Sequence, residues 1–172
     1  MNESIKNLLE RRSIRAYKKE LVPKETLDTI LEAGKYSPSG MGQQRTLMVV
    51  TKDPELVASL SKMHAAVMGS TSDPFYGAPT VIIVFSDSKM GTCVENGSLV
   101  MGNLMNAAHA LGVDSCWIHR AREVFDAEEG KELKNQWGVP EEYIGVGHCV
   151  LGYRDCEYPT AKPRKDGFVI RV

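Results

Sequence analysis

The segment spanning residues 95–111 constrains the fold more than any other part of the sequence. Its apolar residues recur at helical spacing, but they cover most of the circumference of the predicted helix. They are Leu99, Val100, Met101, Leu104, Met105, Ala107, Ala108, Ala110 and Leu111. A helix that is apolar nearly all round has to be buried on nearly all sides. Because the chain has only 172 residues, we expect a second subunit to supply part of that burial.

Shorter elements are predicted on both sides of this helix. Helices are expected over residues 5–9, from Pro23 to Gly34, after the cap Asp53-Pro54, and over 128–137. Buried strands are expected over 46–51 and 80–85, further strands over 115–118 and 144–151, and 168–170 is strand-like. Helices alternate with strands at first, and no internal repeat is present. The length is that of one ordinary domain, so residues 1–172 are interpreted as a single unit.

The composition is that of a globular protein that needs no metal or disulfide to fold. Hydrophobic residues make up 42% and charged residues 25% of the chain, and the longest apolar run, residues 81–85, is too short to span a bilayer. The four cysteines show no C-x-x-C spacing, which disfavours zinc and iron–sulfur sites. No secretory signal is recognisable, so a cytoplasmic location is expected. His148, among Ile and Val neighbours, is expected to be a hydrogen-bonded structural histidine.

Positive charge is concentrated at the two ends of the chain. Residues 1–20 carry a net +3 and residues 150–172 a net +2, whereas the remaining residues carry −6. If the two ends meet in space, they form an anion site; otherwise they are two solvated terminal segments. The acidic middle and the lack of aromatics among the basic residues disfavour nucleic acid as a partner.

The residues that best explain an anion site are Arg11-Arg12-Ser13-Ile14-Arg15, the arginine segment. Three guanidiniums and a hydroxyl lie within five residues at the end of a predicted helix. One cation would suffice to interact with the helix dipole. Forked guanidiniums match the oxygens of a terminal phosphate, although a solvated basic patch remains the alternative.

Two further segments carry candidate binding residues. The glycine loop, Ser37-Pro38-Ser39-Gly40-Met41-Gly42-Gln43-Gln44, follows a predicted helix and precedes a strand. Its glycines permit a close backbone approach to a planar ligand. The tail adds Lys162-Pro163-Arg164-Lys165 as a second cationic point. Each of these segments alone has an ordinary structural explanation.

Together, the motifs resemble the nitroreductase family of FMN-dependent oxidoreductases. R-R-S-I-R at 11–15, S-P-S-G-M-G-Q-Q at 37–44, A-A-H-A-L-G-V-D-S-C-W-I at 107–118 and K-P-R-K at 162–165 occur in the family's order. The resemblance covers nearly the whole chain. It implies an α+β fold with a central mixed, mostly antiparallel sheet flanked by helices, in an intertwined homodimer with FMN at the interface.

The resemblance also assigns residues to the cofactor. Arg11, Arg12, Ser13 and Arg15 would hold the FMN phosphate and ribityl chain, with Arg12 reaching toward the polar edge of the ring. Lys162 and Arg164 would close on the phosphate from the tail. Pro38, Ser39, Gly40, Met41 and Gln44 would come from the other subunit. Cys116, Trp117 and Ile118 would lie near the flavin, with backbone groups facing its reactive edge. No metal and no protein nucleophile is implied.

The implied activity is transfer of a hydride from NADH or NADPH through flavin N5 to a small organic acceptor, such as a nitroaromatic or a quinone, by a ping-pong mechanism. Enone reduction, dehalogenation, flavin destruction and a non-catalytic FMN-binding module remain alternatives. The sequence departs from the family pattern at Gly42, where many members have Asn, and at Arg45-Thr46, where many have Pro-Trp. It is also shorter than many members, which predicts the absence of an inserted lid over the flavin.

Overall fold

A computed structural model describes all residues from Met1 to Val172. The helices are α1 (Glu3–Glu10), α2 (Lys24–Lys35), α3 (Pro54–Val67), α4 (Cys93–Ala110), α5 (Ala121–Asp126) and α6 (Glu128–Gln136). The strands are β1 (Thr46–Thr51), β2 (Thr80–Asp87), β3 (Asp114–Ile118) and β4 (Tyr143–Gly152), and a 3₁₀ turn covers Gly40–Gly42. No helix is both long enough and apolar enough to cross a membrane.

The four strands form one antiparallel sheet in the order β1-β2-β4-β3. The α+β class and the antiparallel sheet flanked by helices are therefore confirmed. The expected parallel component is reduced to one isolated bridge, in which Ser13 of the arginine segment pairs with Ser115 of β3. This bridge attaches the arginine segment to the outer edge of the sheet.

The core consists of two hydrophobic clusters on opposite faces of the sheet. Alternate residues of β2 point to the two faces, since side chains along a strand alternate. Val81, Ile83 and Phe85 join a cluster with α3 and α5. Ile82 and Val84 join a cluster with α2 and α4. Helices on both faces explain why every residue of β2 is buried.

The long apolar helix α4 is buried on the side that faces the sheet and open on the other. Met101, Leu104 and Ala108 are completely buried. On the open side, Leu99 keeps 45% of its surface exposed, and a side chain at Gly102 would meet nothing within 4 Å. A single chain therefore leaves unburied part of the apolar surface that the sequence predicts to be covered.

Three expectations about individual elements are wrong. β1, expected to be buried, lies at the edge of the sheet, and most of its residues are partly or fully exposed. Residues 168–170 form no strand and are exposed. The six-residue helix α5 was not expected, because its pattern is too short to show helical periodicity.

His148 is also not the hydrogen-bonded residue that its neighbours suggest. It is fully buried, and neither ring nitrogen makes a hydrogen bond of ordinary geometry. Its ring packs instead against Phe75, with ring centroids 5.2 Å apart, and against His64 at 5.3 Å. Burial lowers the pKa of His148 to about 3, so the ring is neutral in the folded protein.

Candidate functional site

The arginine segment is fixed to the core through its one apolar residue. Ile14 is completely buried, and its amide donates to the carbonyl oxygen of Ser115 at 3.1 Å. The Tyr17 hydroxyl donates to the Ile14 carbonyl oxygen at 2.9 Å. On either side of the buried Ile14, Arg15 is exposed and Ser13 is half-buried. The alternation thus presents polar side chains along the edge of β3.

The arginines of this segment carry positive charge that the chain does not neutralise. The arginines that form ion pairs are Arg45, Arg120, Arg122 and Arg154, and none of them belongs to the segment. Buried donors also lack partners at this place: Arg11 Nη1, Arg12 Nε and the hydroxyl of Ser115. Buried unsatisfied donors are costly, and phosphate oxygens are suitable acceptors for them. The residues present therefore fit the phosphate end of FMN.

The guanidinium of Arg12 contacts the end of α1. Its Nη1 donates to the carbonyl oxygens of Leu9 at 2.7 Å and Arg11 at 2.8 Å, so its guanidinium caps the C-terminal end of α1. Carbonyls at a helix C-terminus lack partners within the helix and attract cations. The position of Arg12 at the ring's polar edge, which the family resemblance implies, stays a prediction.

The tail approaches the arginine segment through Tyr158. The hydroxyl of Tyr158 contacts the backbone of Glu10 and Arg12. Beyond it, Lys162 and Arg164 are exposed. Four residues of extended chain span at most about 14 Å and six at most about 21 Å. The contacts of Tyr158 thus bring the tail to the arginine segment, and the chain length sets an upper limit on the distance of the two cations from it.

The glycine loop is held at the other end of α4. The amide of Gly40 donates to Asn96 Oδ1 at 2.9 Å, and a Cβ at Gly40 would overlap Thr92 Oγ1. The Gln44 amide donates to Ser39 Oγ at 3.0 Å. Met41, at the tip of the loop, is 83% exposed. Only a residue without a Cβ permits this contact with α4, so Gly40 sets the position of the loop.

The two departures from the family pattern in this loop have structural explanations. Gly42 has φ +64°, a left-handed conformation that Gly and Asn adopt most readily. Arg45 pairs with Asp87, Nη1 to Oδ2, at 2.9 Å, and its carbonyl oxygen accepts the Asp87 amide. A hydrogen bond from the Lys89 amide and then the contact with Arg45 lower the pKa of Asp87. Arg45 therefore fastens the end of the loop to the end of β2.

The residues expected near the flavin on β3 point into the protein. Cys116 and Ile118 are buried in the cluster with α3, and burial raises the pKa of the Cys116 thiol. Trp117 packs on the opposite face, where a Cβ at Gly147 would overlap its Nε1. The Trp117 indole N–H has no partner. What β3 offers to a ligand is its outer backbone edge, since β3 is the last strand of the sheet.

A single chain does not bring all the predicted residues together. The glycine loop contacts Asn96 near the start of α4, whereas α1 is fastened near the end of α4, where Asn7 Nδ2 donates to the Asn106 carbonyl oxygen at 2.9 Å. Ten helical residues separate these anchors by about 15 Å. The arginine segment, the tail and β3 form one group, and the glycine loop forms a second group at the opposite end of the helix.

Sequence reasoning missed the residues that hold these groups in place. Asn96, Asp87 and Tyr158 form no motif, because their partners are backbone groups or distant side chains. The aromatic residue in the otherwise polar tail was the one available signal for Tyr158. No group of three or more His, Cys, Asp or Glu residues is arranged to hold a metal ion.

Comparison with known proteins assigns the chain to a family. The family model described as Nitroreductase family matches residues 8–153. The chain belongs to the nitroreductase family. Relatives within it include a putative NADH dehydrogenase/NAD(P)H nitroreductase of Methanothermobacter thermautotrophicus, 30% identical over 83% of this chain and 73% of that protein. An FMN reductase [NAD(P)H] of Bacillus subtilis is 40% identical over 95% of this chain and 70% of that protein.

Solved nitroreductases share the whole fold. A nitroreductase of Bacteroides fragilis with bound FMN superimposes with a TM-score of 0.92 at 29% identity, and all of both chains is covered. A nitroreductase of Desulfitobacterium hafniense, also with bound FMN, gives 0.89 at 27% identity, again over all of both chains. The predicted family membership is confirmed.

Proposed function

We propose that this nitroreductase-family protein is an FMN-dependent oxidoreductase that uses NADH or NADPH to reduce a small organic acceptor. The observation that carries the proposal is the arginine segment, where three guanidiniums without ion pairs lie beside buried donors that lack partners. A phosphate dianion supplies both the missing charge and the missing acceptors. FMN in related structures and the FMN reductase name of a relative support the choice of ligand.

In this proposal, the arginine segment, Lys162 and Arg164 hold the phosphate and the ribityl chain. Arg12 would reach toward the polar edge of the ring, and the outer backbone edge of β3 would supply N–H and C=O groups to the ring. Bound FMN would supply the redox chemistry by accepting a hydride at N5 from NAD(P)H and passing it to the acceptor in a ping-pong cycle. The chain's own groups bind and orient, and no protein nucleophile takes part.

We further propose that the complete site needs two copies of the chain. The open side of α4, with Leu99 and Gly102, and the exposed apolar residues of α1, Ile5, Leu8 and Leu9, are surfaces that a partner would cover. Residues 168–170 at the end of the tail are a third such surface. A two-fold axis that crosses α4 pairs it antiparallel with its copy. That arrangement sets the glycine loop of one subunit opposite the arginine segment of the other.

The first experiment is the visible spectrum of the purified protein before and after anaerobic addition of NADH or NADPH. A flavin band that bleaches, with FMN released on denaturation, is the expected result, and the two nucleotides compared in parallel give the preference. A band that persists with both nucleotides would instead support an FMN-binding module without catalytic activity. If no flavin is present and added FMN does not bind, the proposal is refuted.

The dimer is tested with Gly102→Glu, using Gly91→Glu as the matched control. A side chain at either glycine meets nothing within 4 Å in the single chain, so both variants are expected to fold. Only Gly102 lies on the open side of α4. We expect Gly102→Glu to dissociate the dimer in sedimentation experiments and to weaken FMN binding, because two like charges would meet near the axis. A Gly102→Glu protein that remains dimeric would place the interface elsewhere.

We also propose that residues 1–172 act as one FMN-binding unit in the cytoplasm. The four cysteines are all free, and three of them are buried. Free thiols are typical of a reducing compartment.

A further inference from the structure

The hydroxyl of Tyr158 joins the tail to the start of the arginine segment. It accepts a hydrogen bond from the Arg12 amide at 3.1 Å and donates one to the Glu10 carbonyl oxygen at 2.8 Å. The partners are 146 and 148 residues away in sequence. This one hydroxyl thus bonds both to a carbonyl oxygen at the end of α1 and to the amide of Arg12, a residue of the proposed phosphate site.

The ring of Tyr158 is held from two further directions. It stacks on His109 at the end of α4, with ring centroids 6.1 Å apart and an angle of 15° between the planes. The Arg154 guanidinium carbon lies 5.1 Å from the ring centroid, within the range of a cation–π contact. Arg154 is itself fixed by Asp114, the first residue of β3, Nη1 to Oδ2, at 3.3 Å.

These contacts define a clasp formed by Tyr158, His109 and Arg154 around the end of α1. The clasp fixes the position of Tyr158, from which the rest of the tail continues. Pro159 follows directly and restricts Tyr158 to extended conformations, so the chain leaves the clasp in a defined direction. Lys162 and Arg164 lie four and six residues further on. The distance of Lys162 and Arg164 from the arginine segment is therefore limited by the few residues that separate them from Tyr158, and not by the length of the whole tail.

We propose that Tyr158 is a positioning residue for the phosphate end of the cofactor. By fixing the Arg12 backbone and the origin of the tail together, it keeps the cations from the two ends of the chain around one phosphate. The inference rests on the proposed function, because it assumes that FMN is the ligand. Tyr158 does not itself have to touch FMN.

The test compares FMN with riboflavin, which lacks the phosphate, in the wild-type protein and in Tyr158→Phe. The substitution keeps the ring and removes both hydrogen bonds. We expect the Kd for FMN to rise about tenfold, given two hydrogen bonds of ordinary strength, and the Kd for riboflavin to change by less than about twofold. Tyr76→Phe is the control, since Tyr76 and Tyr158 are both 37% exposed and Tyr76 takes no part in the clasp.

A second measurement is independent of any flavin. Amide hydrogen exchange of Arg12 in the apoprotein should accelerate in Tyr158→Phe, and in His109→Ala to a smaller extent. Equal losses for FMN and riboflavin, or an unchanged Kd for FMN, would overturn the inference, as would an unchanged exchange rate of Arg12. A wild-type protein that binds no FMN would instead refute the proposed function, and the exchange experiment would then show separately whether the clasp exists.

Discussion

The two ends of α4 present opposite kinds of binding surface. At its N-terminal end, the glycine loop is fastened by Asn96, Thr92 and the Arg45–Asp87 pair. At its C-terminal end, the arginine segment keeps buried donors without partners and cations without ion pairs. The loop is thus stabilised by the fold itself, whereas Arg11 Nη1, Arg12 Nε and the Ser115 hydroxyl at the other end have no partner within the chain.

The difference indicates which end of α4 contributes to ligand binding and which end contributes to the stability of the fold. Removing the unpaired guanidinium of Arg11 should alter ligand affinity and leave the apoprotein as stable as before, because unpaired like charges add nothing to folding. Changes at the glycine loop should lower the stability of the apoprotein first. A reversed pattern, with stability falling on a change at Arg11 and ligand affinity falling on a change at the glycine loop, would contradict this division.

The largest effect is expected for Arg11→Gln. Loss of a charge-assisted contact with phosphate should raise the Kd for FMN about 100-fold, since such contacts contribute about 1.5–3 kcal/mol. The Tm of the apoprotein should stay the same or rise, because a buried donor without a partner is removed. Fluorescence titration measures the Kd for FMN, and thermal unfolding measures the Tm of the apoprotein. Arg171→Gln, in the exposed end of the tail, is the control; a marked fall in the Tm of Arg11→Gln alone would contradict the prediction.

A smaller effect, and on stability, is expected for Gly40→Ala. The added Cβ would overlap Thr92 Oγ1, and overpacking of this kind costs about 1–3 kcal/mol. Denaturant unfolding of the apoprotein measures it. Gly91→Ala introduces the same methyl group into open space and should change the free energy of unfolding little. Equal stability of the two variants would show that the loop is not held against α4.

Asp87→Asn should lower the Tm of the apoprotein by about 5 °C, because the Asp87 carboxylate is buried and accepts bonds from Arg45 and Lys89. The solvent-exposed pair of Arg122 and Asp126 provides the comparison. Asp126→Asn should shift the Tm by about 1 °C or less, since exposed pairs contribute little. Similar shifts in the two variants would mean that the Arg45–Asp87 pair adds no special stability to the loop.

The smallest effect near neutral pH belongs to neither end of α4. His148 is neutral in the fold, with a pKa of about 3, whereas it binds a proton in the unfolded chain below about pH 6.5. Stability should therefore be complete above that pH and fall as the pH is lowered toward 3. His148→Phe should flatten the dependence of the unfolding free energy on pH over this range. An unchanged slope would assign the acid sensitivity to other groups.

Most helices and strands and the family could be predicted from the sequence, because both depend on patterns that are local in the chain. Apolar periodicity located most of the helices and strands, and the arginine segment, the glycine loop and the tail resembled one family in order and spacing. The short helix α5 was not predicted because six residues are too few to show helical periodicity. The edge position of β1 was not predicted because the order of strands in a sheet does not follow from the alternation of side chains within one strand.

The groups that meet, and those that remain without a partner, are defined only in the folded chain. The overlap of Thr92 with any Cβ at Gly40, the orphaned donors of Arg11 and Arg12, and the contacts of Tyr158 with α1 all join residues far apart in sequence. The packing of the His148 ring without a hydrogen bond has the same origin. Hydrogen bonds and steric contacts act over a few ångströms in space, and sequence separation does not specify that distance until the chain has folded.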